Sequence, residues 1–247
     1  MRALTVAERL IVAADFKPDP GQGQGSDWVR GQILTLVAAL IGTGEVYIKV
    51  NSALRACGYD LIGKLHQFNA KVCADLKLYD IGETLSIDGI LLREFKPELL
   101  TAVCTAGVGP LKALKAELPD TEVLGVTVLT SLTDDDTRAM FVCSTEEAVC
   151  RLAGIAVEAG LDGLVSAPKE VEMLRADFST MVTLNTPGIR PEWASVAGDD
   201  QNLKRVMTPA EAIKAGADRI VVGRPITRAK EPYEAVMRTL EEISAAL

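Results

Sequence analysis

Asp75 and Lys77 stand two apart in the run Ala74-Asp75-Leu76-Lys77-Leu78-Tyr79-Asp80-Ile81-Gly82-Glu83-Thr84. The preceding Asn69-Ala70-Lys71-Val72-Cys73 alternates and reads as a buried strand. On extended backbone the side chains of Asp75 and Lys77 leave the same face. Asp80 follows three later, where the chain turns into a helix that Glu83 and Thr84 begin. Two carboxylates and an ammonium gathered at a strand end are costly to desolvate, and such clusters are kept where the charges are paired and used. A fixed ammonium there can stabilise a developing negative charge and then give up a proton. The competing reading is a solvated turn with an incidental ion pair, because D-x-K-x-x-D is short.

The elements that must hold these groups repeat along the chain. Strands are expected near Arg9–Ala14, Val46–Val50, Lys71–Asp75, Leu99–Cys104, Val123–Val128, Gly163–Ser166, Met181–Asn185 and Arg219–Val222. Helical patterns fall near Asp27–Ile41, Ala53–Gln67, Thr84–Phe95, Gly109–Glu117, Thr145–Ala159, Lys169–Ala176, Pro209–Ala215 and Glu231–Ala245. Eight strand–helix alternations in 247 residues predict an α/β fold, a (β/α)8 TIM barrel forming one domain over 1–247. In such a barrel the chemistry belongs to the loops that follow the strands. There the chain places Asp15, Lys49 with Asn51, Asp75 with Lys77, Thr130 with Ser131, Thr186-Pro187-Gly188-Ile189-Arg190, and Gly223-Arg224-Pro225-Ile226-Thr227.

The last of these reads as an anion site. Gly223 allows close approach of the backbone, the next N–H groups open a helix, and Arg224 adds a guanidinium able to make paired bonds. The long loop from Thr186 to about Thr208 holds Gly188, Gly198 and Gln201 and is suited to closing as a lid.

Composition narrows the class. Apolar residues make up 48% of the chain but aromatic ones only 4%, so Ala, Val, Leu and Ile fill the core. No run approaches the roughly 18 apolar residues of a membrane span. Leu10–Ala14 is short and ends at Asp15, as a first strand does and a secretory signal does not. Five cysteines without a C-x-x-C pair fit reduced core thiols of a cytoplasmic protein. A formal charge of −8 argues against a nucleic-acid surface.

Taken together, Asp15, Lys49, Asp75-Leu76-Lys77-Leu78-Tyr79-Asp80-Ile81, Thr130, Thr186-Pro187-Gly188-Ile189-Arg190, Asp200-Gln201 and Val222-Gly223-Arg224-Pro225 resemble the orotidine 5′-phosphate decarboxylase family over nearly the whole chain. The resemblance implies conversion of orotidine 5′-monophosphate to UMP and CO2 in de novo pyrimidine synthesis, without metal or organic cofactor. It implies that Lys77 protonates C6 of the pyrimidine, that Asp75 lies against the substrate carboxylate, and that Lys49 joins a Lys–Asp–Lys–Asp chain and the ribose. Asp15 is then a ribose ligand, Thr130 and Ser131 meet the pyrimidine edge, and Pro187, Arg190, Gln201, Gly223 and Arg224 belong to the substrate and phosphate site. Asp80, Ile81 and Thr84 match positions that reach into the neighbour's site of a homodimer. Tyr79 stands where many relatives carry His, Glu83 replaces a common Asn, and the loop 192–206 is a few residues longer than in common bacterial members.

Two rivals share these features. A Mg-dependent sugar-phosphate decarboxylase or aldolase of the same superfamily carries the D-x-K-x-x-D motif but places an acid where Lys49 stands, and a cation there opposes a metal. A non-catalytic nucleotide-binding barrel would have no use for an intact Asp75, Lys77 and Asp80. Gly21-Gln22-Gly23-Gln24-Gly25 hints at a dinucleotide loop, but the second strand ends in Lys49 rather than an acid, so a floppy solvated loop is expected. His66 lacks metal-spaced partners and reads as structural, Asp134-Asp135-Asp136 as a helix start capped by Thr133, and Trp28 and Trp193 as packing residues, Trp193 next to the lid.

Overall fold

The structure, a computed structural model, describes residues 3–194 and 206–247. Eight parallel strands close in sequential order into a barrel: β1 (Leu10–Ala13), β2 (Tyr47–Val50), β3 (Lys71–Leu78), β4 (Leu99–Val103), β5 (Glu122–Val126), β6 (Gly163–Val165), β7 (Thr183–Thr186) and β8 (Arg219–Val222), with β8 returning to β1. Helices follow the strands and cover the outside, where Val12, Ile48, Val72, Leu100, Val123, Leu164, Leu184 and Ile220 meet them in one apolar layer. Both faces of a parallel barrel strand are covered, which is why these segments read as nearly unbroken apolar runs.

Side chains facing the axis stack in tiers. The middle tier is apolar: Ile11, Cys73, Leu99 and Leu124, with Val165 and Val221 packed against them. Below it, toward the strand starts, Arg219 pairs with both carboxylate oxygens of Glu122 at 2.8 and 2.7 Å. The same guanidinium stacks 5.2 Å over the Tyr47 ring and donates to Asn185. Above the apolar tier lies the charged rim described below.

The expected helices are present, with instructive departures. The single helix expected over 53–67 is two, α2 (Ser52–Cys57) and α3 (Asp60–His66), because Gly58 takes φ +84° and turns the chain between them. Helix α1 (Ser26–Ala39) follows β1, α4 (Gly82–Arg93) follows β3 and α5 (Val108–Glu117) follows β4. An additional helix, α6 (Asp134–Phe141), begins where Thr133 and Asp136 cap each other reciprocally, as its three acids foretold. Ser144 with Glu147 starts α7 (Thr145–Glu158) in the same way. Helix α8 (Val171–Phe178) follows β6, and Thr208 with Glu211 caps α9 (Pro209–Lys214). After β8 the chain makes a four-residue helix, α10 (Arg224–Thr227), and the long closing helix α11 (Pro232–Ala246).

The glycine-rich segment after β1 is exposed, as expected, but it is a hydrogen-bonded turn rather than a floppy loop. Asp19 accepts from the Gly21 N–H at 2.9 Å and its own N–H donates to Gln24 at 2.9 Å, around a 3-10 turn over Pro20–Gln22. His66 is structural as expected: it pairs at 3.3 Å with Glu98, whose same oxygen accepts the Val72 N–H at 2.7 Å.

Candidate active site

A continuous row of opposite charges crosses the C-terminal mouth of the barrel. Lys49 Nζ, at the end of β2, donates to Asp15 at 3.0 and 3.2 Å and to Asp75 Oδ2 at 3.0 Å. Lys77 Nζ donates to Asp75 Oδ1 at 2.6 Å. Asp75 is thus gripped from both sides by ammonium groups. Burial alone would push its carboxyl up, but the two neighbouring cations outweigh burial and hold it below the usual carboxylate range. Lys49 shows the reverse balance. Its burial works against the charge, yet Asp75 and Asp15 keep its pKa above that of an ordinary lysine. Cys73, directly beneath, is pushed up to about 12 by burial and by the Asp75 charge, which leaves it a neutral thiol in the floor of the site.

The local backbone departs from the simple alternation that the sequence suggests. Asp75 and Lys77 share a face as expected, but β3 does not stay extended between them. Pairing with β4 runs Ala74 to Leu100 and resumes at Leu78 to Ala102, so three residues of β3 face Thr101 alone. Lys77 takes φ +49°, an uncommon left-handed conformation for a side-chain-bearing residue. The bulge aims both side chains into the mouth of the barrel.

These groups line a cavity of about 820 Å³. One wall is apolar, from Val126, Val128, Leu129 and Val165, with Thr130 and Ser131 at its edge. The adjoining ends of β7 and β8 carry Pro187, Gly188, Arg190, Gly223 and Arg224. Gly188 takes φ +82° and turns the chain after Pro187, while the Arg190 N–H donates to the Met207 carbonyl at 2.9 Å and so ties the two roots of the loop 186–208. The cavity lining thus combines an apolar wall, a row of ammonium and carboxylate groups, and the three guanidinium-bearing residues Arg190, Arg224 and Arg228.

Most residues singled out from the sequence therefore meet in one place. Asp15, Lys49, Asp75, Lys77, Thr130, Ser131, Pro187, Arg190, Gly223 and Arg224 all border the cavity. Asp80, Ile81 and Thr84 do not. The Asp80 carboxylate accepts the Ile81 N–H at 2.7 Å at the start of α4, Asp80 and Ile81 are exposed, and within one chain neither approaches the Lys77 ammonium. Gln201 lies outside the described residues. A Cβ built on Gly223 would meet the Ala13 side chain at an ordinary contact distance of 3.5 Å.

Sequence reasoning missed several cavity residues. Thr101 is buried in β4, accepts from the Lys77 N–H at 2.9 Å and donates to Asp75 Oδ1 at 2.9 Å. Its one signal was a hydroxyl in the otherwise apolar Leu99-Leu100-Thr101-Ala102-Val103. Lys17 and Arg228 add cations to the rim, and Trp28 packs on the core and borders the cavity as well. Trp193 packs as expected, with the Arg238 guanidinium 4.6 Å over its ring.

Comparison with known proteins identifies the family. Residues 8–239 match the model of the family described as Orotidine 5′-phosphate decarboxylase / HUMPS family. The chain is 36% identical to the orotidine 5′-phosphate decarboxylase of Syntrophus aciditrophicus, over 97% of this chain and 94% of that protein. It is equally 36% identical to that of Gluconobacter oxydans, over 96% and 98%. Among solved structures, the orotidine 5′-phosphate decarboxylase of Lactobacillus acidophilus superposes with a TM-score of 0.78 at 29% identity, covering 96% of this chain and 99% of the other. A match of this extent in sequence and in fold makes the chain a member of the orotidine 5′-phosphate decarboxylase / HUMPS family.

Proposed function

We propose that this protein decarboxylates orotidine 5′-monophosphate to UMP and CO2, the closing step of pyrimidine nucleotide synthesis, with Lys77 as proton donor. The observation that carries this reading is the unbroken row Asp15–Lys49–Asp75–Lys77, ending in an ammonium that faces the cavity. Loss of CO2 from C6 leaves an electron pair in an orbital that the ring cannot delocalise. Asp75, fixed beside the departing carboxylate, disfavours the ground state. Lys77 stabilises the pair as it forms and then delivers the proton to C6. Lys49 holds Asp75 from the other side and, with Asp15, faces the ribose. Thr130 and Ser131 take the pyrimidine edge, while Arg190, Gln201, Gly223 and Arg224 hold the phosphate, whose binding energy positions C6 against the row.

Because the family also spans sugar-phosphate enzymes, the position of Lys49 matters. Its ammonium bridges the Asp15 and Asp75 carboxylates, the place a divalent cation would need, and this favours chemistry that uses no metal. A spectrophotometric assay with orotidine monophosphate tests the reading. Turnover that is indifferent to EDTA supports it. UMP binding without turnover would turn it toward a non-catalytic barrel, and chelator-sensitive turnover of a sugar phosphate toward the metal-dependent relatives.

We further propose a homodimer in which Asp80, Ile81 and Thr84 complete the neighbour's site. Tyr79, Ile81, Ile87, Ile90 and Leu91 form an exposed apolar group along the end of β3 and α4, a face suited to a second copy. Asp80 from that copy would supply the second carboxylate at Lys77. Asp80→Asn and Lys77→Ala are then each inactive, and mixing them regenerates about a quarter of parental activity by random pairing into hybrid dimers with one intact site. No recovery on mixing, with exchange of subunits verified, rules the shared site out.

A further inference from the structure

The charged row depends on a short irregular piece of backbone, and that piece has its own support. Between the pairs Ala74–Leu100 and Leu78–Ala102, three residues of β3 oppose one residue of β4. The bulge leaves the Lys77 N–H without a strand partner in regular register and the Lys77 backbone at φ +49°. The Thr101 hydroxyl answers both needs. It accepts the Lys77 N–H at 2.9 Å and, with its own hydrogen, donates to Asp75 Oδ1 at 2.9 Å, the same oxygen that takes the Lys77 ammonium at 2.6 Å. On the outer side, Arg55 of α2 donates to the Leu76 carbonyl at 2.5 Å, so the middle residue of the bulge is also held. Thr101 is only 3% exposed, and a hydroxyl placed there among apolar neighbours has no solvent to satisfy it.

We propose that Thr101 is a positioning residue for the reaction: its hydroxyl replaces the missing ladder bond at Lys77 and fixes the Asp75 carboxylate relative to the Lys77 ammonium. The inference rests on the decarboxylase reading, because it assigns Thr101 its role through the two groups that reading uses. Thr101 touches the catalytic side chains and acts only through them, so its removal should spoil the geometry of proton delivery while leaving nucleotide capture at Arg224 intact.

The experiment compares the parent with Thr101→Val and Thr101→Ser in steady-state assays with orotidine monophosphate. Val keeps the shape and loses the hydroxyl; Ser keeps the hydroxyl. The expected result is a kcat about thirtyfold to a hundredfold lower in Thr101→Val, with KM within about threefold, and a Ser variant within about threefold of the parent. If Thr101→Val does not fold, Thr101→Ala against Thr101→Ser gives the same contrast, with UMP titration confirming a formed site. A kcat for the hydroxyl-free variant equal to that of the Ser variant overturns the proposal, as does a loss confined to KM. A parent that does not turn over orotidine monophosphate overturns the decarboxylase reading instead, so the two failures are separable.

Discussion

The barrel carries two ionic networks, one at each end of its axis, separated by the apolar tier of Ile11, Cys73, Leu99 and Leu124. At the strand starts, Arg219 meets Glu122 through two parallel bonds, lies over Tyr47 and donates to Asn185, and only its Nε among these donors finds no partner. Burial works against that guanidinium's charge, but Glu122 outweighs it and raises its pKa. At the strand ends, Lys77 meets a single carboxylate among the described residues and has a side chain 37% exposed, against 3% for Arg219. Buried charges closed on one another are costly to separate, because removing one partner leaves the other unpaired. A row of charges whose terminal ammonium faces the cavity has an interaction to offer a substrate. Openness of the terminal ion pair, rather than the presence of buried charge, separates the proposed working end from the structural one.

Four measurements break or sharpen this contrast. The largest effect belongs to Lys77→Ala, which should lower kcat by about 10⁴-fold or more, since it removes both charge stabilisation and the proton. UMP binding, read by calorimetry, should stay measurable, and near-parental turnover in this variant would falsify the assignment of the working end. Next, Glu122→Ala leaves the Arg219 guanidinium buried and unpaired and should cost about 3 kcal/mol in urea unfolding. Activity per folded molecule should be nearly unchanged, and a selective loss of kcat would mean that the lower network also serves the chemistry. Arg224→Ala should reduce kcat/KM by about tenfold to a hundredfold through phosphate capture, an unchanged value being the contrary result.

The smallest effect concerns pH. The folded-state pKa of Asp75 is depressed because Lys49 and Lys77 outweigh burial. Its contribution to stability is therefore fully present above the unfolded carboxylate pKa of about 3.9 and is lost as pH falls through the lower folded value. The stability difference between the parent and Asp75→Asn should be flat between about pH 5 and 8 and should move against the parent below about pH 4. A drift within the flat window would show that Asp75 titrates near neutrality.

Most of the scaffold was legible because barrel strands, buried on both faces, write themselves as apolar runs, and the helix start at Thr133 announces its cap. The rim residues were legible too, since Asp15, Lys49 and Asp75 are charges at the ends of such runs. What stayed hidden depended on neighbours distant in sequence. The bulge at Asp75–Lys77 arises from pairing with β4, and nothing within β3 marks it. Thr101 looked like one hydroxyl in a strand until its two partners came within 2.9 Å. Glu122 and Arg219 lie 97 residues apart and resembled ordinary polar strand boundaries. Asp80 shows the opposite limit, because the partner we propose for it belongs to another copy of the chain.

The Ile189–Met207 bridge, with the Arg190 amide bonded across to Met207, stitches the chain together immediately before and after the long segment that follows β7. Closing a loop costs free energy that grows only slowly with its length, so extra residues beyond the stitch are cheap. Insertions and deletions there can accumulate without transmitting a shift to β8, and a few added residues need not disturb where Arg190 or Arg224 stands. That neck lets the length of the segment vary while the barrel keeps its register.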